Sequence, residues 1–501
     1  MTTSIKASVL LGLTAPFFAS ALATPRTPPC KRATKLEWGP CNIETQGLPV
    51  TCAKLAVPLD YTDKSSNQTL ELDLIKYPAQ NGPSKGTILL NFGGPGQDGL
   101  NSMISYAPIQ SAGTGNTLRF ACFEPETLGA TFAQGLPDAS DVSPGRVWAE
   151  ASILAKTCGE TQKTNGGLVG MAFTVRDMIQ IVDALGEDGL RYWGISGGTA
   201  LGATVAAMFP DRVDKIILDG VMNSHEYYHS SGEPEMLSSS DATFEAFLEA
   251  CFEEQEKCPL ARQFDSAEAL KEGLATFFED LKYNPIPLYP PAPIPPFVID
   301  YSILNQLVLS TLYRPGQYQN LSIALTGLLQ GDGAPAVDIF LSPDAPSIPQ
   351  EAEAILGIRC GDKIPRASSL VELDPIEEQF HETSKWFPGF GRGWYVYACA
   401  QWPFEAKERY EGDFHVKTKN PILFIGNTYD PITPLRSAQN MSSGFEGSVV
   451  LQHNGFGHLS LTQPSKCTNE IIQNFFDNGE LPKPGTVCEP DLPLFANDPK
   501  V

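Results

Sequence analysis

Ser196 stands at the centre of Gly194-Ile195-Ser196-Gly197-Gly198, a G-x-S-x-G pentapeptide. A serine hydroxyl is a weak nucleophile until a base takes its proton and an acid orients that base. Such chemistry asks for a sharp strand-to-helix turn. There the serine Oγ stands clear, and the N–H of the next residue, Gly197, faces the developing oxyanion. The flanking glycines suit that turn, because the serine backbone is strained and helix and strand pack too closely for side chains. In the chain order that goes with this elbow, an acid and then a histidine each follow a late strand. Asp430 does so in Phe424-Ile425-Gly426-Asn427-Thr428-Tyr429-Asp430-Pro431, and His458 does so in Asn454-Gly455-Phe456-Gly457-His458. Of six histidines, His453 is the rival; Gly455 and Gly457 favour His458, since they let a loop side chain turn inward. Asp219, at the end of another strand, ranks second as the acid. Gly93-Gly94-Pro95-Gly96 follows an apolar run, where Gly93 or Gly94 would supply the second oxyanion N–H. Each feature has a plainer reading: a glycine-rich turn, an Asx turn at Asp430-Pro431, a structural histidine.

The elements that must hold these residues show in the hydrophobic pattern. Residues 86–92 read as a buried strand ending in glycines. Thr174 caps a helix with Val175, Met178, Ile179, Val182 and Leu185 on one face, stopped by Gly186. A strand at 190–193, a helix over 199–209 and a strand at 213–218 follow. Strands alternating with helices imply a mostly parallel central sheet with helices on both faces. The rhythm stops near Asn223 and resumes with strands at 421–425 and 448–451 and a helix carrying Ile471, Ile472, Phe475 and Phe476. The stretch between, which includes a proline-rich strap at 285–296, reads as an inserted, mainly helical lid over the carboxyl edge of the sheet. The division is a signal peptide at 1–23, a first core part at 24–224, the lid at 225–385, and a second core part at 386–501.

A chain of 501 residues with 42% hydrophobic content can bury a full core. A formal charge of -23 argues against nucleic acid and anionic membranes as partners. Lys6, the apolar run 9–18 and Ala21-Leu22-Ala23 form a signal pattern, too short to span a bilayer, so secretion is expected. The 11 cysteines fit an oxidising compartment. Proximity suggests pairs 41–52, 122–158, 251–258, 360–399 and 467–488, with Cys30 left over. No C-x-x-C occurs, which makes zinc or redox chemistry a poor reading. Asn67, Asn320 and Asn440 open glycosylation sequons.

Longer motifs carry a resemblance. Val57-Pro58-Leu59-Asp60-Tyr61, the Gly93-Gly94-Pro95-Gly96 loop, Tyr192-Trp193-Gly194-Ile195-Ser196, Phe209-Pro210-Asp211-Arg212-Val213 and Leu218-Asp219-Gly220 lie in the first part. Asn420-Pro421-Ile422-Leu423-Phe424, Asp430-Pro431-Ile432-Thr433-Pro434, Gly455-Phe456-Gly457-His458 and Gly485-Thr486-Val487-Cys488 lie in the last. Most of the mature chain resembles the secreted α/β-hydrolase serine exopeptidases, the tripeptidyl aminopeptidase and prolyl aminopeptidase relatives with a TAP-like carboxyl-terminal domain. The resemblance implies the α/β-hydrolase fold and amide hydrolysis near a free N-terminus, with no cofactor or metal and a peptide or small molecule as substrate. It also implies lid carboxylates for the substrate ammonium, for which Glu226, Glu233 and Glu235 are candidates; the competing reading of each is a solvated surface charge. Two departures stand out. Gly197 replaces the family's tyrosine, which removes a side-chain wall. Residues 100–112 are too few for the family's next helix and strand, which reads as a deletion or a mis-joined gene model. Two other functions share these residues: an esterase or metabolite-tailoring hydrolase with the same triad, and a catalytically degenerate hydrolase-fold protein.

Overall fold

The strands of the core are short apolar runs, and the two faces of the sheet divide their side chains by a period of two. The structure is a computed structural model that describes residues 36–80, 82–95, 99, 118, 120–123, 135–290, 296–341 and 352–495. The signal segment, Cys30, Gly96 and residues 100–112 lie outside them. In chain order the strands are β1 (Thr51–Pro58), β2 (Thr69–Lys76), β3 (Leu89–Asn91), β4 (Leu190–Ile195), β5 (Val213–Asp219), β6 (Ile286–Leu288), β7 (Phe297–Ile299), β8 (Leu423–Tyr429), β9 (Val449–Phe456) and β10 (Val487–Cys488). Among the described residues the main sheet runs β10-β9-β8-β5-β4-β3, and every neighbouring pair in it is parallel.

Tyr192, Leu218 and Phe424 pack on one face against the helices Met171–Leu185, Gly197–Met208 and Leu435–Gly444. Trp193, Ile217, Leu423 and Ile425 face the other way, onto Ile472 and Phe475 of the helix Lys466–Asn478. Ile217 and Leu218 are fully buried, and burying a side chain of that size contributes roughly 1.5–3 kcal/mol. A sheet covered on both faces is why the strands read as near-continuous apolar runs.

β1 and β2 pair antiparallel as a separate two-stranded sheet, so β3 ends the main sheet among the described residues. Residues 100–112, which read as too short to supply the additional strand that the resemblance implies, lie outside the described residues. β3 is shorter than the strand expected over 86–92. Gly86 has φ +132, off the strand path, and the run ends at the left-handed Gly93. The first main helix begins at Met171, not at a cap on Thr174, because its N-terminus is capped from a distance. The Asp362 carboxylate accepts the Met171 N–H at 3.0 Å. Gly186 ends the helix in a left-handed conformation, as expected.

Between β5 and β8 the chain is mainly helical, with the small antiparallel pair β6–β7 beside the proline-rich stretch. These helices bury a core of their own, including Phe244, Phe247, Leu304, Leu307, Leu321 and Leu325. The helix Ser143–Thr161, which the sequence pattern did not disclose, packs into that core through Val147, Ala151 and Leu154. All five expected disulfides form: Cys41–Cys52, Cys122–Cys158, Cys251–Cys258, Cys360–Cys399 and Cys467–Cys488.

Candidate active site

β4 runs directly into Ser196, whose backbone is strained at φ 54, ψ -122. A non-glycine residue held there costs of order 1–3 kcal/mol and persists only where neighbours fix it. Its N–H donates to the Asp219 carbonyl at 3.0 Å, and its carbonyl accepts from the Thr199 N–H at 2.8 Å. The Gly93-Gly94 loop closes against this turn. Both glycines are left-handed, at φ 107 and 103, and a Cβ on Gly93 would stand 2.9 Å from Ser196 Cβ. A Cβ on Gly197 would stand 2.7 Å from the Gly94 carbonyl carbon. The missing tyrosine therefore leaves no open wall, because backbone fills that place. The Gly93 N–H is taken by Asn91 Oδ1 at 3.0 Å. Gly94 and Ser196 line one cavity, and Gly197 opens a helix whose first N–H groups face outward with the positive end of its dipole.

Asp430 follows β8 and is fully buried. Its Oδ1 accepts the N–H groups of Ile432 and Thr433 at 3.0 and 2.8 Å, which is the expected Asx turn. Its Oδ2 accepts from Thr433 Oγ1 at 2.7 Å and from the Leu459 N–H at 3.0 Å. His458 Nδ1 lies 3.1 Å from the same oxygen. Burial alone would raise the Asp430 pKa. The charge of His458 and these hydrogen bonds outweigh it and hold the carboxyl below its ordinary value. With Nδ1–H given to Asp430, Nε2 is left as the basic atom. The His458 N–H is anchored on the Tyr313 carbonyl at 3.0 Å, and the two rings meet edge-on at 4.8 Å. Among the described residues no hydrogen bond joins Ser196 Oγ to His458. Thr433 bonds His458 Nδ1 at 3.0 Å and lines the same cavity as Ser196. In unliganded sites the serine–histidine contact is often long and tightens with substrate.

The rivals lie elsewhere. His453 is buried with Nδ1 on Thr468 Oγ1 at 3.0 Å, and burial pushes its pKa down to about 4. The Asp219 carboxylate holds Ser460, at 2.6 Å to Oγ and 3.2 Å to N, and not His458.

The cavity measures about 590 Å³, part of it open to solvent. Met236, Tyr313, Phe390, Tyr395 and Ile432 make its apolar wall, and Glu226, Glu233 and Arg359 carry its charge. None of the three candidate glutamates is a solvated surface charge. Glu233 is buried and binds Arg359 through both oxygens and Lys363 at 3.0 Å. Burial would raise its pKa, but the two cations hold it below the ordinary value. Glu235 accepts from Asn223 Nδ2 at 3.1 Å, Ser437 Oγ at 2.7 Å and Asn440 Nδ2 at 2.5 Å. Glu226 is half-buried, accepts the Glu235 N–H at 3.1 Å, and is in no ion pair among the described residues. Burial, then the neighbouring Glu233 and Glu235, push its pKa up to about 8.

A family model described as the alpha/beta hydrolase fold matches residues 86–262, and one described as TAP-like protein matches residues 387–488. The chain has the α/β-hydrolase fold, and its carboxyl-terminal part is similar to the TAP-like proteins. Serine protease Hip1 of Mycobacterium tuberculosis is 25% identical to this hydrolase over 488 residues, covering 91% of this chain and 92% of its own. Tripeptidyl aminopeptidase of Streptomyces lividans is 23% identical over 487 residues, covering 91% and 87%. Carboxylesterase B of Mycobacterium tuberculosis is 24% identical over 474 residues, covering 88% and 86%.

Sequence reasoning missed two charged residues of the hydrolase site, Arg359 and Lys363. A signal was present: Arg359 and Asp362 end the helix Ala352–Asp362 after an apolar middle, and Lys363 follows at once. Arg359 is buried with its guanidinium over the Tyr395 ring at 4.1 Å. Of the sequon asparagines, Asn67 and Asn320 are exposed with no tie to the site; Asn440 is exposed but its amide is engaged by Glu235. Among the described residues no group of side chains could hold a metal ion, and no helix is long and apolar enough to cross a membrane.

Proposed function

We propose that this hydrolase cleaves peptide bonds near a free N-terminus by way of an acyl-enzyme. Ser196 Oγ attacks the scissile carbonyl carbon while its proton passes to His458 Nε2. That proton then goes to the leaving amine, and a water molecule reverses the sequence to free the acid. Asp430 holds the imidazole in the needed tautomer. The N–H groups of Gly197 and Gly94 receive the oxyanion, because that of Gly93 is already spent on Asn91. Of the candidate carboxylates, Glu226 receives the substrate ammonium. Glu233 is neutralised by two cations, and Glu235 is taken up by Asn223, Ser437 and Asn440 and paired with Arg436 at 3.5 Å. One observation carries this reading: Thr433, hydrogen-bonded to both Asp430 and His458, lines the cavity onto which Ser196 opens, and Glu226, in no ion pair among the described residues, stands on its wall.

The helical segment 225–385 serves as the lid. The leader at 1–23 directs secretion, which five disulfides support. Asn67 and Asn320 are the sequons placed to carry glycans. An esterase is the second reading, supported by the relative named carboxylesterase B and by the apolar cavity wall. A panel of free and N-blocked aminoacyl and tripeptidyl amides, run beside simple esters with Ser196→Ala as control, separates them. Cleavage confined to free-amine amides and lost in the variant is expected. Ester cleavage alone makes the second reading correct, and a folded protein with no turnover is a degenerate hydrolase.

A further inference from the structure

We infer that Asp219 is a positioning residue that fixes the distance between the nucleophile turn and the histidine loop. This rests on Ser196 and His458 acting as proposed above. Asp219 ends β5 and is fully buried. Its main-chain carbonyl accepts the Ser196 N–H at 3.0 Å. Its carboxylate accepts the N–H of Ser460 at 3.2 Å and its hydroxyl at 2.6 Å. One residue therefore grips the nucleophile from behind and the chain two positions past His458.

The histidine loop needs such a grip. Leu459, between His458 and Ser460, sits at φ 81. A branched side chain there is strained and stays only where its surroundings over-determine it. The restraints come from separate elements. Asn427 Nδ2 donates to the carbonyls of Gly457 and Leu459 at 2.8 and 2.9 Å, and the Leu459 N–H donates to Asp430. Asp219 holds the far end. Next to it, Gly220 is left-handed at φ 66, and a Cβ there would stand 3.0 Å from Thr433 Oγ1 and 3.6 Å from His458 Cε1.

Stability does not account for this carboxylate. It is buried with a neutral partner, Ser460, where a carboxylate is costly to hold. Burial, and less so the nearby Asp430, raise its pKa to about 6. A smaller apolar residue would fill β5 at lower cost. What the carboxylate adds is two directed hydrogen bonds across to the histidine loop.

The test measures kcat per active site, counted by a serine-directed phosphonate, for wild type, Asp219→Asn, Ser460→Ala and the double variant. Misplacing a base by an ångström costs about 100-fold. Asp219→Asn is therefore expected to lower kcat per titrated site and the labelling rate together, about 10- to 100-fold, with KM nearly unchanged. Ser460→Ala is expected to fall in the same direction, and the double variant no further than the worse single. Wild-type kcat per titrated site in Ser460→Ala overturns the inference even if Asp219→Asn does not fold. So do losses that multiply in the double variant. A folded wild type that takes no phosphonate refutes the triad reading instead.

Discussion

Glu226→Gln should make the protein more stable in alkali while loosening its hold on free-amine substrates. The carboxyl is half-buried with Glu235 N–H on one oxygen, and its pKa is raised from an ordinary 4.5 to about 8. A carboxyl with a raised folded pKa binds its proton more tightly in the folded state. Its contribution is fully present below pH 4.5 and is lost as pH climbs towards 8. At ~1.4 kcal/mol per pH unit the full interval corresponds to ~5 kcal/mol. Water still reaches a half-buried group, so about 2–3 kcal/mol is the expected loss at pH 8.5. Glutamine cannot ionise and escapes it. Melting curves of the two proteins should coincide near pH 5 and separate by a few degrees at pH 8.5, the variant higher. At pH 8 the variant should also lose about 10- to 100-fold in kcat/KM on free-amine amides and nothing on N-blocked ones. Wild-type values on free-amine amides should climb from pH 6 to 8 as Glu226 ionises. Parallel pH–melting curves with an unchanged amine preference would refute the reasoning.

Glu233→Gln removes the counter-charge of buried Arg359 and Lys363; a loss of about 3–5 kcal/mol is expected, read as a lower urea midpoint. An unchanged midpoint would mean the two cations find another partner. Gly197→Tyr restores the residue that the family pattern carries, but its Cβ would meet the Gly94 carbonyl carbon at 2.7 Å. Turnover should fall at least ~100-fold through loss of the oxyanion geometry; normal turnover would show that the glycine loop yields freely.

The sheet was legible because a strand buried on both faces is written as an apolar run. β4, β5, β8 and β9 fall where those runs lie. The places of Ser196, Asp430 and His458 at strand ends, and the pairing of the last two, were legible because each follows such a run in a glycine- or proline-marked loop. The disulfides were legible because each joins cysteines adjacent in chain order. What stayed hidden depends on partners far apart in sequence. The Met171 helix starts early because Asp362 lies 191 residues away. Glu233 looked solvated because Arg359, 126 residues further on, is invisible to a local pattern. The choice of Gly94 over Gly93 turns on which N–H the Asn91 amide takes.

Asp219 and Ser460 are 241 residues apart, and this sets a timetable for synthesis. The nucleophile turn is complete once β5 and its carbonyl contact to Ser196 have been made. The base arrives only after the whole helical segment and β8 have emerged, and Cys488 must follow before the last strand is stapled to Cys467. Chains fold from their first-made parts onward. A nascent chain therefore carries its serine through about half of translation without the histidine proposed to arm it, and a copy cut short before residue 458 lacks that base altogether.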